Sequence, residues 1–199
     1  MTSTLKNDIG LIKLERPVNL KEYPHIKLAE LATNEKFPKA GDVCKMAGWG
    51  LKRDGKVAPD AQFLQTNAVD STLCSKTDEN FNVKEQFCEQ PRSGNKTTAG
   101  GDSGSGILCS CDRGRTWSLA GLVSYGDAAE DFLPSVNVRV SAYHDWIDDT
   151  MTNEKPVTTR VDPEDDDMDH DLADYEDDTT VNNADWYYNW DNTPADTNS

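Results

Sequence analysis

The sequence is poor in histidine, and it lacks CxxC pairs, long apolar runs and clustered basic residues. Each shortage excludes something. His25, His144 and His170 are the only histidines, so general-base chemistry has few places to sit. No CxxC pair stands with a second pair or a histidine cluster, which argues against a zinc site. No apolar run is long enough to span a bilayer. No basic patch is present to neutralise phosphates, so nucleic acid is not an expected partner. The opening MTSTLKNDIG lacks the charged-then-apolar pattern of a secretion signal. Nothing implies a cofactor.

What is present is unevenly spread. The formal net charge is -16 over 199 residues. Residues 151–199 hold 15 acids and 2 bases, a net of -13, and residues 1–150 hold 21 acids and 18 bases, a net of -3. This divides the chain into a body, 1–150, of ordinary charge and an acidic tail, 151–199, with almost no aliphatic periodicity, expected to be disordered. All five cysteines (Cys44, Cys74, Cys88, Cys109 and Cys111) lie in the body. Disulfides in an oxidising compartment explain them best, with one thiol left over.

Short alternating segments punctuated by glycine and proline run through the body. NDIGLIKLER (7–16) alternates and is expected to be a strand that Pro17 ends. GDVCKMAGWG (41–50), FLQTNAV (63–69) and SVNVRV (135–140) are expected strands, and GILCSCD (106–112) and TWSLAGLVSYG (116–126) a hairpin about Arg113-Gly114. Asp70 or Ser71 caps one helical turn over 70–75. SAYHDWIDDTM (141–151) reads as a helix capped by Ser141, with Ala142, Trp146 and Ile147 on one face. Many short strands and one terminal helix indicate an all-β barrel or sandwich.

GGDSGSG, residues 100–106, is the segment with chemistry in it. A serine hydroxyl is a poor nucleophile until a base and an orienting carboxylate activate it, and the attack needs donors aimed at the developing oxyanion. Gly101, without a Cβ, can turn its N–H beside that of Ser103. A hydrolase nucleophile elbow needs glycine where Ser105 stands, and a phosphate loop needs a lysine that is absent.

GGDSGSG resembles the nucleophile loop of the chymotrypsin-like (trypsin-like) serine proteases. NDIGLIKL resembles the strand bearing their triad aspartate, CKMAGWG (44–50) their Cys…Gly-Trp-Gly segment, LVSYG (122–126) their substrate-pairing strand, and the helix around Trp146 their terminal helix. The resemblance covers about residues 5–150. It implies the six-stranded antiparallel second barrel of the two-barrel fold plus the triad-aspartate strand, a C-terminal helix, and no metal. It also implies Ser103 as nucleophile, Asp8 as the carboxylate orienting a histidine, and the N–H groups of Gly101 and Ser103 as oxyanion hole. Ser124 and Gly126 would lend backbone bonds to a protein or peptide substrate, and Asp102 would receive an amino terminus made by zymogen cleavage. Cys44–Cys109 and Cys74–Cys88 would be disulfides, and the protein would be secreted.

The departures matter as much. No histidine precedes Asp8, so the triad base is missing, and with it the first barrel and activation site; the chain reads as a carboxy-terminal portion. Ala99 stands where many relatives carry cysteine. The resemblance places Thr97 at the base of the specificity pocket with Thr98 beside it and Gly126 and Ser135 on its walls; neutral Thr97 points to an apolar or small preferred side chain. Cys111 is left for a cysteine elsewhere. The alternative is an inactive homologue that binds a basic partner through its acidic, aromatic tail, where Tyr175 lies among acids and WYYNW spans 186–190. Asp167, Asp169 and Asp171 open like a calcium loop, but Leu172 replaces the needed glycine. Asn95-Lys96-Thr97 is a glycosylation sequon.

Overall fold

The computed structural model describes residues 5–52, 54–57, 59–92, 97–126 and 134–153. The tail expectations, Asn95 and His170 lie outside them. Seven strands form in chain order: β1 (Glu30–Leu31), β2 (Val43–Gly48), β3 (Gln62–Val69), β4 (Gln86–Pro91), β5 (Gly106–Ser110), β6 (Ser118–Tyr125) and β7 (Ser135–Arg139). Helix α1 (Ser71–Thr77) lies between β3 and β4, and a 3-10 turn (Val140–Tyr143) leads into α2 (His144–Asn153). Six strands close on themselves in the order β2-β3-β4-β7-β6-β5 and back to β2, each neighbour antiparallel. The short β1 adds a parallel edge on the start of β6. Closure leaves the six barrel strands no free ladder, which a small sheet otherwise exposes to association.

The alternation seen in sequence explains the packing. Ile107, Ala120, Cys44, Cys109, Met46, Ala68, Phe87 and Val123 point inward as one buried cluster, and Cys74, Cys88 and Val136 form a second beneath α1 with Val69, Phe81 and Tyr125. Cys44 and Cys109 sit opposite each other on β2 and β5 and form a disulfide; Cys74 on α1 and Cys88 on β4 form the other. Cys111 is free and exposed. Asp70 caps α1 by accepting from Thr72 N at 2.9 Å. The β5–β6 turn takes positive φ at Arg113 (62°) and Gly114 (87°). Asp112 pins it, accepting from Arg115 N, Thr116 N, Thr116 Oγ1 and Ser110 Oγ. Those bonds hold its carboxyl far below the usual range.

Three sequence expectations are corrected. Residues 7–16 form no strand: among the described residues no neighbouring strand offers them a ladder, and Leu11, Ile12 and Leu14 are 43%, 89% and 59% exposed. Ser141 does not cap the last helix; it lies inside the 3-10 turn, buried, with its hydroxyl unpartnered. Of the expected helical face only Ile147 is buried, while Ala142 and Trp146 are exposed. The strand β4 was not anticipated, because Gln86, Glu89 and Gln90 mask its period and Pro91 reads as a break.

Candidate active site

The two sides of the site meet on consecutive residues of β6. The Ser124 hydroxyl donates to Asp8 Oδ2 at 2.6 Å. One residue earlier, Val123 accepts from Gly104 N at 2.8 Å and donates to Ser105 O at 2.9 Å. The loop that carries Ser103 is therefore stitched to the strand that holds the carboxylate. The loop's own turns close with Asp102 N to Ala99 O and Ser105 N to Asp102 O, both at 3.0 Å. Gly101 takes φ +98° and Gly104 φ +81°, a region that penalises any residue with a Cβ. Ser103 is exposed at the tip.

Asp8 is held from its chain neighbour as well. Asn7 adopts φ 54°, and its side-chain oxygen accepts from Tyr143 Oη at 3.1 Å. Tyr143 of the 3-10 turn and Ser124 of β6 thus hold two adjacent residues, Asn7 and Asp8.

The Gly-Trp-Gly segment is explained by Asp102. Its Oδ1 accepts from Gly50 N at 2.8 Å and its Oδ2 from Ala99 N at 3.0 Å. A Cβ at Gly48 or Gly50 would overlap the Asp102 carboxylate. The sequence left Asp102 without a partner; two backbone donors fill that role. Cross-loop bonding continues with Leu51 N to Gly100 O at 2.9 Å.

The residues expected to line the specificity pocket come together only in part. Thr98 and Ser135, both buried, share a hydroxyl–hydroxyl bond of 2.9 Å. Gly126 lies against Ser135, and a Cβ on it would stand 3.1 Å from Ser135 Oγ. Thr97 is half-buried at the adjacent chain position, outside the hydrogen-bonded pair.

Neither described histidine serves Asp8. His25 packs edge-on against Tyr23, with ring centroids 6.2 Å apart. His144 Nδ1 lies 3.4 Å from Asp148 Oδ2 on α2, one helical turn away, rather than against its sequence neighbour Asp145.

These features are set among known proteins as follows. The family model described as Trypsin matches residues 1–147. The chain belongs to the trypsin family. This trypsin-family chain is 30% identical to a thrombin-like enzyme of Bothrops jararacussu over 79% of its own length and 66% of that protein. It is 32% identical to a trypsin of Squalus acanthias over 75% of this chain and 62% of the other. It is 30% identical to human kallikrein-4 over 74% and 55%. The chain spans between about half and two thirds of the length of these relatives. Among solved structures it is similar to neuropsin, a serine protease expressed in the limbic system of mouse brain, with TM-score 0.54, 23% identity, and coverage of 63% of this chain and 54% of the other. That likeness supports the chymotrypsin fold.

One residue with chemical potential has no counterpart in the sequence reading. Glu89 on β4 is 1% exposed inside the barrel. Thr66 Oγ1 donates to its Oε2 at 2.6 Å, and Asn137 also bonds it. Burial outweighs both bonds and pushes its carboxyl from 4.5 up to about 7. The available signal was its position two residues after Phe87, on the inward face of a segment that carries a disulfide cysteine.

Proposed function

We propose that this trypsin-family chain forms the nucleophile-bearing part of a serine endopeptidase. The observation that carries it is the junction on β6: Val123 binds the Ser103 loop while Ser124 binds Asp8. In this reading a histidine, oriented by Asp8 and brought by a further segment, takes the proton from Ser103 Oγ as the oxygen attacks the scissile carbonyl carbon. The oxyanion accepts from the N–H groups of Gly101 and Ser103. The histidine then gives its proton to the leaving amine, and water, deprotonated the same way, releases the acyl group. Asp102 holds the loop in shape now and takes the amino terminus made on activation.

The same further segment covers Leu11, Ile12, Leu14 and Leu28, whose exposure ranges from 43% to 89%. Large apolar side chains left exposed in this way suit an interface. It also offers a cysteine to Cys111. Ser124 and Gly126 align an extended protein or peptide substrate. Two disulfides and the family suit a secreted protein.

A second reading is an inactive homologue that binds a basic partner through the acidic tail; what favours it is that residues 151–199 hold 15 acids against 2 bases. The experiment is active-site labelling with a fluorophosphonate. The 199-residue chain stays unlabelled, and a longer form containing a histidine segment is labelled after activation, with labelling lost in Ser103→Ala. A longer, activated form that stays unlabelled overturns the endopeptidase in favour of the binding module.

A further inference from the structure

We propose that the cleft beside the end of β7 binds a small organic carboxylate, whose charge Arg139 and Ser141 receive. The cleft has a volume of about 920 Å3, within the range of small-molecule sites. Its walls come from the loop before β2, the start of α1, the loop before β4 and the turn into α2. It shares no lining residue with the Ser103 loop, with Asp8 or with Ser124. It is therefore a second site, apart from the one described above.

The floor of the cleft carries a cation without a counter-charge. Arg139 lines the cleft and is 6% exposed. Its Nη1 donates to the carbonyls of Phe37 and Pro38 at 2.8 and 3.2 Å, and its Nη2 to the carbonyl of Gln86 at 3.2 Å. A guanidinium has five N–H donors and no acceptor. These neutral carbonyls leave Nε and one Nη2 hydrogen uncommitted, and Nε is buried without a partner. No described carboxylate bonds the group, and burial disfavours its charge. Two residues on, Ser141 also lines the cleft, is 6% exposed, and has a buried hydroxyl without a partner. A buried donor without an acceptor is unfavourable, and a charged one more so. The group that completes this wall is an acceptor carrying negative charge, which a planar carboxylate supplies.

The rim decides what carries that carboxylate. Lys36, Lys39 and Lys84 stand there with Glu35, Glu85 and Asp145, so the charges balance. A fourth acid, Asp70, is held by Thr72 N. A balanced rim does not draw in a polyanion. Val69, Val83 and Ala142 add apolar wall beside it, and Val83 is 52% exposed. The ligand is thus compact, with one negative charge and an apolar body.

Phenylacetate is the probe, with neutral phenylacetamide and apolar-poor acetate as controls. Titration of the 199-residue chain is followed by amide NMR shifts at Val83, Ser141 and Ala142. Phenylacetate binds with a Kd of about 1 mM, and both controls bind about tenfold or more weakly. Ser141→Ala weakens phenylacetate severalfold. Ala142→Trp, at an exposed lining position, fills the cleft and abolishes binding while circular dichroism shows the barrel intact. Arg139→Gln removes the preference for the acid over the amide. If Arg139→Gln does not fold, Ser141→Ala and Ala142→Trp decide. Equal binding of acid and amide, equal binding of acetate, no shift up to about 10 mM phenylacetate, or natural affinity in either deciding variant overturns the proposal. Ser103→Ala binds phenylacetate as the natural chain does. A failure of fluorophosphonate labelling would therefore remove the endopeptidase reading and leave this site standing.

Discussion

Residues 5–29 and the barrel from β2 to β7 use similar amino acids to opposite ends. In the barrel, Ile107, Ala120, Val136 and Val138 are all at or below 3% exposure. In the first segment, Ile12 and Leu28 are 89% and 82% exposed. The difference is hydrogen bonding rather than hydrophobicity. Barrel strands have partners on both sides, and burial follows from closure. Residues 7–16 carry the same alternation without a ladder partner, so their apolar side chains remain outside. An alternating pattern therefore specifies a face, and a neighbouring strand decides whether that face becomes core. The two regions are nonetheless joined at the site, where Asp8 of the exposed segment meets Ser124 of the barrel.

The sharpest break is made on the barrel side. The Cys44–Cys109 disulfide closes 65 residues of sequence between β2 and β5. Loop-closure reasoning assigns such a crosslink about 4 kcal/mol. The double variant Cys44→Ala/Cys109→Ala should therefore lose about that much in urea unfolding. The segment 5–29, almost wholly exposed, contributes too little burial to offset that loss. A loss below about 1 kcal/mol would mean that the barrel does not depend on this link.

The interior charge gives the next largest effect. Glu89 titrates near 4.5 when unfolded and at about 7 when folded. Its folded pKa is raised, so the native state keeps a proton that the unfolded state has lost between those values. Its contribution to stability is full below about pH 4.5 and is lost as pH rises through about 7, with a total of about 3 kcal/mol. Urea titrations should show the natural chain losing stability from pH 5 to pH 8, and Glu89→Gln should flatten that slope. Asp112 acts in a separate window, since its depressed carboxyl matters only as pH falls below the ordinary range. A natural chain as stable at pH 8 as at pH 5 would show that Glu89 is not buried as described.

These two effects also mark what the sequence could and could not carry. Strands β2, β5 and β6 were legible because alternation coincided with cysteines or glycine turns, and β3 and β7 from their apolar and alternating runs alone. The Ser103 loop was legible because its glycines are required by positive φ and by close approach. Glu89 was not, since an acid in a strand ordinarily reads as solvent-facing, and only the register of β4 against β7 turns it inward. Nor could the partner of Asp102 be read: Gly50 N lies 52 residues earlier, and the contact exists only once β2 and the loop before β5 are brought together. Ser141 was misassigned because a serine before a helix suggests a cap, whereas a 3-10 turn placed it one turn inside.

The Gly-Trp-Gly contact ranks third. Gly50→Ala sets a methyl group against the Asp102 carboxylate, which must leave the Gly50 and Ala99 N–H groups. The expected cost is about 2 kcal/mol, from lost charge-assisted hydrogen bonds and local strain. Hydrogen exchange should accelerate at Gly50 and Ala99 while β3 and β4 stay protected. Equal protection at both amides in the variant would contradict the assigned role of Asp102.

The smallest effect tests the junction between the two regions. Ser124→Ala removes the hydroxyl bonded to Asp8, a partly exposed contact worth about 1 kcal/mol. Because residues 5–29 are largely exposed, that loss should appear locally rather than in global unfolding. Limited proteolysis should cut near residues 5–16 several times faster in Ser124→Ala, with the urea midpoint nearly unchanged. Cutting at the natural rate would mean that the Tyr143 bond to Asn7 and the Gln86 Nε2 bond to the Leu5 carbonyl hold the segment without Ser124. An equal fall in both measurements would mean that the segment and barrel unfold as one unit, and the contrast between them would be one of exposure without independence.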